Sequence, residues 1–333
     1  VVEGLPLGPD ATGEPVRDLQ ARLVALAFDC GDDTLGAYGS GTVDAVRRFQ
    51  SQRGLHVDGV CGRQTWSALV EAGYRLGDRL LYHRTPLLRG DDVHELQQRL
   101  GGLGFDAGRV DGYFGVNSAK ALKDFQQNVG LTSDGICGPD TLEALHRLGG
   151  AGAGSGHGGE APTEAEVRER DRLRRDRRGL QGRRVVVAEF GGLDALLSAL
   201  ARALQDEGAV VVALHHPDGS VLAADANAFD AEAYVGLSLR PGPACTVSYY
   251  ASPGFESVGG RRLAELTTVE VTSTFGADSC TVRGMRLPVL RETQMPAIQL
   301  EIGLPQVAVE GAVELVGALV RAVVAWVDAP VDG

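Results

Sequence analysis

The sequence predicts a multidomain chain: two small all-α modules of three helices each, then an α/β domain with a mostly parallel sheet covered by helices. Three observations carry the prediction: one stretch occurs twice, a Gly- and Ala-rich run follows the second copy, and beyond it apolar runs alternate with helical patterns. At 333 residues, 44% of them hydrophobic, the chain also exceeds what one core usually organises. The expected boundaries are 1–77 and 78–149 for the two modules, 150–182 for a Gly-rich linker and charged helix, and 183–333 for the α/β domain.

The repeat fixes the first two domains. One copy reads VRDLQARLVALAFD and then YGSGTVDAVRRFQSQRGLHVDGVCGRQTWSALVEAG; the other reads VHELQQRLGGLGFD and then FGVNSAKALKDFQQNVGLTSDGICGPDTLEALHRLG. Matched positions include Leu19/Leu96, Gln20/Gln97, Leu23/Leu100, Phe28/Phe105, Phe49/Phe125, Gln50/Gln126, Asp58/Asp134 and Cys61/Cys137. Leu19, Leu23 and Leu26 share a helix face, as do Leu96, Leu100 and Leu103, while Val43, Val46 and Phe49 form a second apolar stripe. Thr65, Trp66 and Leu69 open a third helix after the turn DGVCGRQT. The repeated Leu, Phe and Gly residues are expected to build cores and turns, and no ligand-contacting residue is singled out.

The run from Gly149 to Pro162 has no periodicity and reads as a flexible spacer. It contains His157 in GSGHGG. A metal ligand must be held in place by its neighbours, and this run offers none, so His157 is expected to be a solvated linker residue. Thr163 as N-cap and Glu166 at N3 make a capping box for the charged helix EAEVRERDRLRRDRRGL, expected to end at Gly179 or Gly182 and to be a solvated connector.

The remainder alternates in type. RRVVVAEF, AVVVALHH, YVGLSL, TVSYY and PAIQLEI read as strands, and LDALLSALARALQDEG, the ESVGGRRLAEL region and GAVELVGALVRAVVAWV read as helices. His215 and His216 close the second strand; strand neighbours point to opposite faces, so the pair is poorly placed to chelate one ion.

Composition excludes several function classes. A net charge of −12 argues against nucleic acid and against an acidic membrane surface. No stretch approaches the ~18 consecutive apolar residues of a membrane span. The opening VVEGLPLGPDATGEP lacks the features of an export leader, so a cytoplasmic location is expected, with the cell wall as the alternative if a leader is missing from this chain. Five cysteines without a C-x-x-C pair argue for free thiols over a disulfide framework or zinc knuckle, a Cys30–Cys61 bridge being the lesser option. G-x-S-x-G, G-x-x-x-x-G-K-[ST] and strand-to-helix G-x-G-x-x-G motifs are absent.

Two resemblances add to this reading. The opening G-x-x-V-x-x-L-Q-x-x-L, the centre F-Q-x-x-x-G-L and the close D-G-x-C-G-x-x-T-[WL]-x-A-L resemble the bacterial peptidoglycan-binding module, over almost all of residues 13 to 149. That resemblance implies attachment to cell-wall glycan or stem peptide. GLQGRRVVVAEFGG, GAVVVALHHPD, ANAFDAEAYVGLSL and above all LPVLRETQMPAIQLEIG resemble the zinc-dependent N-acetylmuramoyl-L-alanine amidases, from about Gly182 to Val327.

The second resemblance implies a zinc ion held by two His and one Glu, with an open position for the attacking water. It sets Phe190 where the family carries its first His and Ser238 where it carries the second. The loop that brings the family's Glu ligand is absent, since Gly192 runs straight into LDALLSALARAL, and Asp194 lies too late to match. Glu301, in QLEIG, stands at the family's catalytic Glu and, with no metal-bound water to activate, is expected to be an inactive relic or a buried hydrogen-bonding acid.

The expectation is therefore a pseudoenzyme with no zinc, a catalytically degenerate amidase homologue acting in peptidoglycan metabolism as a binding or regulatory protein. Similar homologues imply as partners peptidoglycan or its precursors, the UDP-N-acetylglucosamine enolpyruvyl transferase, and membrane-associated wall assembly proteins. The alternatives are an active amidase with a non-standard site and a wall-tethering protein with a missing leader.

Overall fold

The structure, a computed structural model, describes residues 4–149, 164–176, 178–240, 242, 244–252, 255–276, 279–303 and 305–331. The chain forms two compact units, Val1–Ala165 and Glu166–Gly333. His157 and Thr163 lie outside the described residues.

The first unit holds helices α1 (Glu14–Ala25), α2 (Ser40–Gln52) and α3 (Arg63–Ala72), then α4 (Asp91–Gly102), α5 (Val116–Asn128) and α6 (Pro139–Gly149). Each triplet has its own core. Leu19, Leu23, Val46 and Phe49 are fully buried in one, and Leu96, Leu100, Leu122 and Phe125 in the other. The repeated phenylalanines meet edge to face in both, Phe28 on Phe49 and Phe105 on Phe125, each pair with ring centroids 5.5 Å apart. Cys61 and Cys137 are small buried residues in backbone bridges to Leu7 and Leu81, and all five cysteines are free.

The repeated glutamines do more than fill space. Gln50 Nε2 donates to Asp58 Oδ1, Val60 O and Thr65 Oγ1, while its Oε1 accepts from the Asp58 and Gly59 amides. Gln126 treats Asp134, Ile136, Thr141 and Gly135 in the same way. Gln97 clamps Asp111, Gly112, Tyr113 and Ser118, and Gln20 clamps Gly36, Ala37 and Thr42. Each buried amide thus ties one Gly-containing turn to the start of the next helix, where Gly36, Gly59, Gly112 and Gly135 all take φ between 75° and 86°. The turn D-G-x-[CF]-G-x-x-[TS] occurs at 58–65, 111–118 and 134–141, so the repeat unit is half a module.

The second unit opens with α7 (Glu164–Arg175), which stops short of the expected glycines. Beyond it Leu180 enters the core, and Gly179 and Gly182, both at positive φ, serve the turn into the first strand. Nor is α7 a solvated connector. Leu173 is buried, Glu166 accepts from the Glu256 amide at 2.7 Å, and Glu169 accepts from Ser257 Oγ at 2.7 Å and Val258 N at 3.1 Å. Two acidic side chains are therefore spent on the N-terminal approach to another helix, where the backbone amides and dipole favour negative charge.

The sheet is built from β1 (Arg184–Glu189), β2 (Val210–His215), β3 (Ala233–Leu239), β4 (Cys245–Ser252), β5 (Phe255–Glu256), β6 (Cys280–Met285) and β7 (Ala297–Ile302). Its order is β2-β1-β3-β7-β4-β5, with β6 also on β4; β1, β2, β3 and β7 run parallel, and β4 runs antiparallel to β7. Helix α8 (Asp194–Asp206) joins β1 to β2, and α9 (Gly219–Ala228) joins β2 to β3. These crossovers move in opposite directions along the sheet, so right-handed connection puts the two helices on opposite faces. The helices α10 (Val258–Phe275) and α13 (Ala312–Asp328) share the α8 face, packing with Val185, Val187, Val235, Leu237, Ile298 and Leu300. Short helices α11 (Pro288–Glu292) and α12 (Pro305–Val309) complete the unit.

Candidate functional site

In an open parallel sheet the crevice forms where successive crossovers diverge, at the carboxyl ends of the strands on either side. Here that point lies between β1 and β3; Phe190 directly follows β1, and Ser238 lies near the carboxyl end of β3. Ser238 is in register with Glu301 on β7, so the two residues share a face of the sheet side by side. Glu301 is also in register with Thr246 on β4 and is buried.

That face is polar. Gln299 Nε2 donates to Ser238 Oγ at 2.9 Å, and a Cβ on the facing Gly236 would collide with Gln299 Oε1. Glycine at 236 is therefore what lets the glutamine lie across the strand. Tyr234 OH and Gln299 Oε1 are buried without a hydrogen-bond partner among the described residues. Burial pushes the Tyr234 phenol well above its ordinary pKa, so it stays a neutral donor.

The turn after β1 is held shut by its own strand. Glu189 is fully buried, and its Oε2 accepts from the Gly191 amide at 2.6 Å and the Leu193 amide at 3.1 Å. Gly191 and Gly192 supply the positive φ values, 132° and 86°, that so short a turn needs. Phe190 stands at its head and packs toward Gly219 at the start of α9.

These residues do not fit the zinc that the resemblance implies. A phenyl ring offers no donor atom, the Ser238 hydroxyl is engaged by an amide, and the 190–193 turn has no acidic side chain. Of the residues expected to mark the site, the structure brings together Ser238 and Glu301. Phe190 stands apart on its turn.

The two histidines of the unit part company, as strand alternation requires. His216 Nδ1 accepts from the Asp218 amide at 3.0 Å, within the turn where Asp218 caps α9. His215 goes to the other face, where its Nδ1 contacts Glu189 Oε1 and lies 3.5 Å from Asp194 Oδ1. Glu189 is invisible to spacing along the chain, because its partner is set by the β1–β2 register, which pairs Glu189 with His215.

Comparison with known proteins follows this architecture. Residues 12–69 and 89–145 match the putative peptidoglycan binding domain family. Over 291 residues the chain is 37% identical to the N-acetylmuramoyl-L-alanine amidase CwlM of Mycobacterium tuberculosis (strain ATCC 25618 / H37Rv), covering 78% of this chain and 70% of that protein. It is 36% identical over 168 residues to the N-acetylmuramoyl-L-alanine amidase CwlL of Bacillus licheniformis, covering 44% of this chain and 46% of that one. The crystal structure of N-acetylmuramoyl-L-alanine amidase from Clostridium difficile 630 aligns with 45% of this chain and 98% of its own, at 19% identity and a TM-score of 0.39.

Proposed function

Because the chain belongs to the N-acetylmuramoyl-L-alanine amidase family, we propose that it acts in peptidoglycan metabolism as a wall-binding, regulatory member that does not hydrolyse its ligand. The observation that carries this reading is the crevice between β1 and β3, where Phe190 and Ser238 stand in place of zinc-binding histidines. Metal-assisted amide hydrolysis needs a bound water of lowered pKa and a base beside it. Glu301 stands at the family's catalytic Glu as a relic, since among the described residues near it Ser238 and Gln299 are bonded to each other and form no ligand set for a metal-bound water.

The two repeated modules are the part of the chain that engages peptidoglycan or its precursors. The sheet face beside the crevice carries the polar residues Tyr234, Ser238, Gln299 and Glu301, of which Ser238 alone is not buried and is the one a ligand would meet. In this proposal the chain works in the cytoplasm and its protein partner is an enzyme of wall-precursor synthesis, the UDP-N-acetylglucosamine enolpyruvyl transferase. Among the described residues no helix is long and apolar enough to cross a membrane.

The test uses the full chain and purified sacculi. Co-sedimentation with sacculi and no release of stem peptides is the expected result. Release that Glu301→Gln abolishes would return the chain to the working amidases. Addition of the chain to the purified transferase should change its turnover, and an unchanged rate removes that partner.

A further inference from the structure

One side-chain cluster lies outside the crevice and is not used by the proposed function. We propose that Glu189, Asp194 and His215 form a divalent-cation site, suited to zinc, at the carboxyl ends of β1 and β2 on the α8 face of the sheet.

The fold brings the three together from separate places. Parallel pairing sets Glu189 beside His215 on adjacent strands and one face, and Asp194 is the first residue of α8, which packs over both. One ligand atom from each lies within 4.8 Å of the other two. His215 Nδ1 lies 3.5 Å from Asp194 Oδ1, a separation that one ion can bridge, and its contact with Glu189 Oε1 has to open to admit the ion.

A second observation points to a cation independently of the spacing. The Glu189 carboxylate is fully buried, and its Oε2 is satisfied by two backbone amides. Its Oε1 takes no other contact from a donor among the described residues than that of the His215 ring nitrogen. A buried carboxylate whose second oxygen meets only an imidazole is costly unless positive charge sits against it. A proton on His215 would supply that charge, and so would a metal ion bound by the neutral ring.

The donor set favours the metal. One imidazole nitrogen and two carboxylate oxygens suit zinc better than the hard cations, which prefer oxygen alone. His215 and Asp194 have side chains 52% and 78% exposed, so an ion has an entry path, and water can complete its shell. The Gly191 and Leu193 amides already fix the orientation of the Glu189 carboxylate, as an outer shell does for a metal ligand.

This site is not the family's zinc displaced. Glu189 is in register with Leu237, and Leu237 with Leu300, so Glu301, the next residue, points to the opposite face. An ion at Glu189 cannot present water to Glu301. Its effect is to tie β1, β2 and the start of α8 together and to stiffen the turn that carries Phe190 to the crevice.

The experiment is calorimetric titration of the full chain with zinc chloride, after removal of metal with chelator, in excess magnesium near neutral pH. One zinc per chain is expected, bound at least tenfold more weakly by Asp194→Asn and His215→Gln. Both substitutions fall on exposed side chains that the core does not need. His216→Gln and His157→Gln should bind as the parent does. No uptake by the parent, or uptake that survives His215→Gln, or uptake lost in His157→Gln, overturns the site. The sacculus assay is separate: zinc bound without stem-peptide release leaves both proposals standing, and release refutes only the non-hydrolytic reading.

Discussion

Replacing Gln126 by Leu, which is similar in volume, should unfasten the second module. The substitution removes the bonds to Asp134 Oδ1, Ile136 O and Thr141 Oγ1 and the one accepted from Gly135 N. Asp134 is exposed and rehydrates, and the Ile136 carbonyl keeps a bond from Thr141 Oγ1 at 3.4 Å. The Gly135 amide, on a buried residue, loses its acceptor, while Thr141 Oγ1 loses only the bond it accepts. Stranding the Gly135 amide costs about 1–3 kcal/mol, and each of the three bonds lost from Gln126 Nε2 about 0.5–1.5 kcal/mol. The extra apolar surface of Leu returns about 1–2 kcal/mol. The net is about 3 kcal/mol, or roughly a hundredfold in the opening equilibrium. Gln127→Leu is the control, being the same change one residue later on the exposed side of α5, with an expected effect within about 0.5 kcal/mol. Hydrogen exchange of the full chain reads both: peptides from α5 and α6 should exchange about a hundredfold faster in Gln126→Leu. Equal exchange in the two variants would refute the role given to the buried amide.

Hydrogen bonds from the Ile136 amide and from the Gln126 side chain hold the Asp134 carboxyl below its ordinary pKa. A depressed carboxyl contributes stability above its ordinary value of about 3.9, and that contribution is lost as pH falls through the folded-state value. Denaturant titrations should therefore find Asp134→Asn less stable than the parent near pH 6, with the gap closing as pH falls below the ordinary carboxyl value; a gap independent of pH would contradict this. Burial pushes the Cys61 and Cys137 thiols up to about 12 and Cys280 to about 11. A thiolate-seeking reagent near pH 8 should leave the native chain unlabelled and mark all five cysteines after denaturation, and rapid native labelling would show a thiol less buried than described. Glu169→Ala should cost about 1–2 kcal/mol by stripping the start of α10 of its acceptor, seen as faster exchange at Val258 and Gly259. Unchanged exchange there would mean that α7 does not cap that helix.

What the sequence discloses depends on whether the information is local. The three-helix modules are legible because apolar spacing and turn glycines repeat, and β1, β2, β3, β4 and β7 because each is a short run rich in β-branched, aromatic or other apolar residues. β6 reads CTVRGM and is buried only at its two ends, Cys280 and Met285, so it carries little apolar signal. α9 reads GSVLAADANA, mostly small residues without a clear polar face, and is visible only as the crossover that the parallel sheet requires. The charged helix misleads for a related reason: its pattern suggests self-contained pairs, while Glu166 and Glu169 find partners some ninety residues away.

The site divides along the same line. Phe190, Ser238 and Glu301 are found by resemblance, because motif positions travel with the local sequence. Glu189 and His215 need the β1–β2 register, which only the folded sheet supplies. The two groups also differ in what they do to the turn at 190–193. The crevice side gives it a phenyl ring, and the α8 side anchors it through a buried carboxylate. Under the proposed non-hydrolytic reading the turn need carry no metal ligand for the crevice, and the two amide bonds to Glu189 are enough to hold Phe190 in its place.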